Sequence, residues 1–202
     1  MKGLEDIKMD LKEAETLGPY NNCNKLFQQI SRTNFQLEAF TDKLNNINER
    51  ERLLKQTESI YEQLPKMIKA FEPYYQLWQL TSSFENDKED WMTKNILSLN
   101  YDMVEKKLTG DYQREIMRLL KYFTNIKNFV AHGVCEEAKK AIERFKEKLW
   151  LIENLTCEGL MKKPNLFKEM FTNAGLPYIE LKELNLTAII ECGLDKHRGI
   201  VE

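Results

Sequence analysis

From Leu26 to Leu155 the apolar residues of this chain recur at three- and four-residue steps, the spacing that gathers them on one side of a helix turning about 100° per residue. The clearest run is Ala138, Ala141, Ile142, Phe145, Leu149, Ile152 and Leu155, opposed by Glu136, Lys139, Lys140, Glu143, Lys146 and Glu147. That charge run reads as a solvated face rather than a binding patch. Only 8 Gly and 5 Pro interrupt the 202 residues, and a chain that is 42% hydrophobic and 31% charged suits long helices better than many short strands. An all-α fold is expected: elongated helical bundle layers of long antiparallel helices joined by short loops.

Helix ends follow from local chemistry. Leu4, Ile7, Leu11, Ala14 and Leu17 predict a short opening helix that Gly18-Pro19 ends. A second helix is expected from about Asn24 to Leu54, with a loosening at Ser31-Arg32-Thr33-Asn34. Lys55-Gln56-Thr57 reads as a polar turn with Thr57 as a cap, and Pro65 moves the start of the next helix to near Leu64, because proline is tolerated only in a first turn. That helix is expected to bend at Pro73 and to run to about Lys94. Leu97, Leu99 and Tyr101 alternate with polar residues as a short connector would. Asn100 or Asp102 can cap a helix carrying Val104, Leu108, Tyr112, Ile116, Leu119, Phe123 and Ile126, which tolerates Gly110 at about 1 kcal/mol. Gly133 is expected to separate it from the 138–155 stripe. Shorter helices are expected near Asn165–Asn173, stopped by Gly175 and Pro177, and near Leu186–Cys192, stopped by Gly193.

Lys+Arg at 30 against Asp+Glu at 32 gives no summed field toward nucleic acid or an anionic membrane. The N-terminal Met1–Ile7 has no apolar core of signal-peptide length, and no apolar run is long enough to cross a bilayer. Cys23, Cys135, Cys157 and Cys192 form no Cys-x-x-Cys pair and read as buried, reduced thiols of a cytosolic protein. Asn154-Leu155-Thr156 and Asn185-Leu186-Thr187 fit the glycosylation pattern and read as chance.

Catalytic patterns are missing. No two of the eight glycines have the spacing of a phosphate-cradling loop, and His132 and His197 stand in no metal-ligand pattern. His132, beside Gly133, reads as exposed or capping at a turn. Glu49-Arg50-Glu51 and Glu136-Glu137 cannot converge on one site, because neighbouring helix residues diverge, and read as solvated charge. Trp78 and Trp91 read as core rather than stacking platforms. The expected catalytic, cofactor-binding and metal residues are therefore none, and no cofactor is expected in this chain.

Three blocks carry a resemblance. Ile47-Asn48-Glu49-Arg50-Glu51-Arg52-Leu53-Leu54 resembles the Ile-Asn-x-Arg-Glu-x-Leu-(Leu/Phe) stretch that precedes the linker of dynein heavy chains. Phe71-Glu72-Pro73-Tyr74-Tyr75-Gln76-Leu77-Trp78 resembles the family's Phe-Glu-Pro-Tyr-x-x-Leu-Trp block, and Trp91-Met92 then precedes a Leu-x-Leu connector. The likeness continues through Ile142-Glu143-Arg144-Phe145-Lys146 to Leu194-Asp195-Lys196-His197 and covers roughly residues 40 to 202. It departs where the family carries Asn-Pro before a Gly/Ala-Leu pair and Arg-His-Trp after it. Cys157-Glu158 and Lys163-Pro164-Asn165 stand there instead, which leaves the contact of that His-Trp pair open.

The resemblance implies a non-catalytic mechanical segment, residues 1–57 tail- or neck-like and 58–202 the N-terminal part of the linker, joining the tail to an AAA+ ATPase ring in microtubule-based movement. It further implies that ring as partner, with dynein intermediate or light chains or another heavy chain as further candidates, and neither nucleic acid nor membrane. The implied location is the cytoskeleton of the cytoplasm, and the wording of the blocks points to the ciliary axoneme. The alternative is a stand-alone helical interaction module derived from a dynein linker.

Overall fold

A computed structural model describes residues 9, 12–14, 16 and 18–201. Of the expected opening stripe, Leu4, Ile7, Leu11 and Leu17 lie outside the described residues, while Ala14 is helical and buried. Every regular element among the described residues is helical, and the only extended pairing among them is an isolated antiparallel bridge between Asn95 and Asn185. The fold is all-α.

A 3-10 turn at Tyr20–Asn22 leads into α1 (Cys23–Leu53), which is continuous through Ser31–Asn34. Next, α2 (Gln63–Thr93) holds Pro65 in its first turn and passes Pro73 unbroken. Thr57 lies six residues ahead of Gln63 and so does not cap this helix, contrary to expectation. The connector is a second 3-10 turn, Ile96–Ser98, whose Asn95 side chain accepts from the Leu97 N–H. Asn100 then caps α3 (Tyr101–Glu105) by accepting from the Met103 N–H at 2.9 Å. A π-helical segment, Lys106–Gln113, comes next and contains Gly110, and α4 (Arg114–Asn125) resumes the α-helix. The remaining helices are α5 (Phe129–Lys146), α6 (Leu149–Leu155), α7 (Glu158–Met161), α8 (Pro164–Asn173), α9 (Leu186–Cys192) and α10 (Arg198–Val201), with a 3-10 turn at Leu194–Lys196. Asn185 caps α9 by accepting from the Ala188 N–H, and the Asn154 amide donates to the Trp150 carbonyl.

Three helices end the same way. After α8 the Leu176 N–H donates to the Phe171 carbonyl and the Gly175 N–H to Thr172, with Gly175 at φ 68°, so two orphan carbonyls are satisfied by one left-handed residue. After α1 the Gln56 N–H donates to Glu51 and the Lys55 N–H to Arg52, and after α4 the Asn128 N–H donates to Phe123 and the Lys127 N–H to Thr124. In both of these a lysine, Lys55 at φ 54° or Lys127 at φ 57°, occupies the left-handed position that glycine ordinarily takes. The break between α4 and α5 therefore falls at 126–128, not at Gly133, which lies inside α5.

The chain divides into two compact units: residues up to Ser82 with Ile116–Ala138, and Ser83–Glu115 with Lys139 onward. In the first, Leu26, Ile30, Phe71, Leu77, Trp78 and Phe123 form the core, and the Tyr74 ring lies 5.2 Å from Phe123. Asn128 donates to the Tyr74 hydroxyl at 2.9 Å, and Ser82 donates to the Asn24 side chain at 2.6 Å. In the second, Leu108, Ile142, Ile152, Phe167, Phe171 and Ile189 are buried. The Ile96 N–H donates to the Leu184 carbonyl, the Asn95 amide to Leu181 and the Thr187 hydroxyl to Met92, so the end of α2 and the 95–98 connector are fastened to the first turn of α9 and the chain just ahead of it.

None of the four cysteines is in a disulfide, but they differ in exposure. Cys23 and Cys135 are buried as expected, Cys192 is half-buried, and Cys157 is exposed where a short helix begins, which corrects the expectation of burial. Burial, helped by the Glu136 charge, pushes the Cys135 thiol up to about 12. Since only thiolate reacts, a maleimide applied near neutral pH is expected to label Cys157 first and Cys135 only after unfolding. Mass spectrometry of partly labelled native chain checks this, and early label on Cys135 contradicts its packing.

Candidate functional site

Among the described residues no three His, Cys, Asp or Glu side chains gather as metal ligands. His132 is half-buried in the first turn of α5 rather than at a turn beside Gly133, and His197 comes directly after the Leu194–Lys196 turn. The two histidines share no site in the structure. The sequence blocks are held in different ways: Phe71–Trp78 and Trp91-Met92 through packing, and Ile47–Leu54 through a hydrogen-bonded clamp.

The Phe71–Trp78 block occupies the middle of the unbroken α2. Phe71, Tyr74, Leu77 and Trp78 are buried at i, i+3, i+6 and i+7, while Glu72 stays exposed and accepts from Gln76. Further along α2, Trp91 is buried, 5.2 Å from the Phe145 ring and 6.5 Å from Tyr112 in an edge arrangement. The Ile142–Lys146 block thus meets the Trp91-Met92 block directly. Trp78 and Trp91 are core, as expected.

Beneath Trp91 lies a polar cluster that sequence reasoning missed. The Tyr112 hydroxyl, carried by the π segment, donates to the Asp87 carboxylate, and the Lys107 ammonium forms an ion pair with the same group. Burial first, and the bond to Asp87 second, hold the Tyr112 phenol far above its ordinary range. A signal existed: Phe84, Asp87 and Trp91 stand at i, i+3 and i+7, so an acid on an apolar stripe announced a partner.

The Ile47–Leu54 block ends α1. Glu51, read from sequence as solvated charge, accepts from both the N–H and the hydroxyl of Ser59 at 2.6 Å each, which lowers its pKa and pins the connection to α2. Leu53, Leu54 and Ile60 in this connection are exposed, at 75%, 69% and 82%. Between the end of α1, the 58–62 stretch and the start of α2 opens a groove of about 650 Å³. Nothing in the periodicity marks it, because its lining comes from three separate stretches.

At the far end, Leu194 of the closing block is buried and the Arg198 guanidinium lies 5.2 Å over the Trp150 ring. Where the sequence departs from the dynein pattern, Cys157 precedes α7 and Pro164 opens α8, a position that needs no backbone donor.

The same residues are matched in known proteins. The family described as dynein heavy chain, N-terminal region 2, matches residues 64–202. The chain is 24% identical to axonemal dynein heavy chain 1 of Rattus norvegicus over 93% of its length, and 27% identical to human axonemal dynein heavy chain 3 over 78%. It is 23% identical to axonemal dynein heavy chain 2 of Mus musculus over 93%. The chain spans only 3 to 4% of the length of these relatives. No solved structure matches. With a match that takes in nearly all of α2 and everything after it, this chain belongs to the dynein heavy chain N-terminal region 2 family.

Proposed function

We propose that this chain is a non-catalytic, force-transmitting linker segment of a dynein heavy chain, with residues 1–57 tail- or neck-like and 58–202 the N-terminal part of the linker. It connects the tail to the AAA+ motor ring in microtubule-based movement. The observation that carries the reading is the family match over 64–202, in which Phe71, Tyr74, Leu77, Trp78 and Trp91 of the two blocks are buried along one 31-residue helix. A helix of that length extends about 45 Å, a span suited to passing load along its axis. The axonemal names of the relatives support placement in the cytoskeleton of a cilium or flagellum, with the motor ring, intermediate or light chains or a second heavy chain as partners.

Cryo-electron microscopy of a heavy chain containing this sequence tests the reading. The expected result places Gln63–Thr93 in the bar that crosses the ring, and density for it elsewhere overturns the proposal. Purified chain is expected to release no phosphate from ATP, and turnover above a heat-denatured control would refute the non-catalytic assignment.

The exposed Leu53, Leu54 and Ile60 favour a second reading, a stand-alone interaction module derived from a dynein linker. Recovery of intermediate or light chains on this chain, with no motor-bearing heavy chain encoded around it, would select that reading.

A further inference from the structure

We propose that the groove between α1 and α2 is a docking site for one amphipathic helix with basic flanks, supplied by polypeptide outside these 202 residues. Much of its lining is apolar: Leu44 from α1, Ile60 and Tyr61 from the connection, and Leu64, Pro65 and Ile68 from α2. On α1 the groove takes Thr41, Leu44, Asn45 and Asn48, one helical face over two turns, and α1 has no buried residue beyond Leu37. That second half of α1 is therefore an unpartnered face, held at its end by the Glu51–Ser59 clamp.

Two helices joined by a pinned connection form a trough that fits a third helix, the mode in which apolar anchors at i, i+3 or i+4 and i+7 fill one groove. The charge of the lining selects the flanks. Glu58, Glu62 and Glu72 line the groove against Lys69 alone. Glu62 does pair with Lys66 at 3.5 Å, but both side chains are about three-quarters exposed, and such a pair holds its carboxylate weakly. Asn48 adds an acceptor, since its Oδ1 is shielded and has no donor. Glu72 accepts from the neutral Gln76 amide, so an incoming lysine or arginine adds the positive charge that this lining is short of and a donor for Asn48.

The chain's own amphipathic stretch is a poor occupant. Between Leu4 and Leu17 it carries Glu5, Asp6, Asp10, Glu13 and Glu15 against Lys8 and Lys12, the wrong sign for this lining. Glu13 and Ala14 moreover share a separate recess with Gln29, Ile30 and Thr33 of α1.

The inference goes beyond the linker reading and can fail without it, because it concerns which helix the groove admits. The test titrates the full chain at low salt into two fluorescein-labelled synthetic helices of about 18 residues. Both carry leucines at i, i+3/i+4 and i+7, one flanked by lysines and the other by glutamates. The lysine helix is expected to bind at least about tenfold tighter and to weaken as salt is added. Ile60→Ser with Tyr61→Ser, at exposed positions that leave the core intact, is expected to cost at least about tenfold in affinity, while Phe129→Ser, exposed elsewhere in the same unit, changes nothing. Equal binding of the two helices, or binding unaffected by the Ile60/Tyr61 change, overturns the proposal. So does self-association of the chain in sedimentation that the same change abolishes, which would make a second copy the occupant.

Discussion

Replacing Trp91 with alanine is expected to destabilise the chain by about 3–5 kcal/mol, read as a shift of its urea unfolding transition. The indole is buried against Phe145 and Tyr112, so truncation removes ring contacts and leaves a cavity that three separate segments would have to close. Those segments are constrained: Tyr112 is tethered to Asp87, and the chain just beyond Trp91 is fastened by the Thr187 bond to Met92. Collapse is therefore limited, which puts the loss toward the upper part of the range. Trp150, half-buried and in contact with Arg198, provides the comparison: its alanine variant is expected to lose roughly 1 kcal/mol of cation–π attraction along with its partial burial. A Trp91 variant no less stable than the Trp150 variant would contradict the core position of the Trp91-Met92 block.

Stability is also expected to fall as the pH rises above 9. Cys135 has an ordinary value of 9.0 and is pushed up to about 12 in the fold, so between these values the unfolded thiol ionises while the folded one keeps its proton. The unfolded state then binds fewer protons, and each pH unit in that window lowers unfolding free energy by about 1.4 kcal/mol for this group. Tyr112 acts with the same sign above its ordinary value of 10.0, because its folded pKa is raised by burial and by Asp87. Denaturant unfolding at pH 8 and near pH 10.5 is expected to differ by about 2 kcal/mol from Cys135 alone. Cys135→Ala should flatten the slope by one proton and leave the Tyr112 part. A variant with the unaltered slope would show that Cys135 is not the group responsible.

Most helices were legible because two independent signals agreed. For α2, Pro65 fixed the start and the Phe71–Trp78 spacing carried the reading across Pro73; for α9, the apolar run from Leu186 and the stop at Gly193 agreed, while the Asn185 cap was not read. The break at 126–128 was not legible, since Lys127 carries no turn signal and its left-handed backbone is held by the Phe123 and Thr124 carbonyls. Gly133 misled for the converse reason: a glycine inside a helix costs only about 1 kcal/mol, which neighbours such as Val134 and Cys135 in the core offset. The blocks of the candidate site were visible as words, but their meeting was not, because Trp91, Tyr112 and Phe145 are brought together only by tertiary packing. Glu51 illustrates the same limit, since its partner Ser59 lies beyond a helix end and a turn.

The π segment at Lys106–Gln113 bears on how this family can change length. Val104, Leu108 and Tyr112 are buried at strict four-residue intervals, and in a plain α-helix each such step overshoots one turn by about 40°. Bonds reaching five residues back instead of four widen the turn and absorb the excess, in effect storing one added residue without rotating the helix beyond it. A relative lacking one residue in this span would recover an ordinary α-helix and still bring its tyrosine to the aspartate on the facing helix. Alignments of the family should therefore place a single-residue gap here, beside Gly110, and treat it as neutral to the packing on either side.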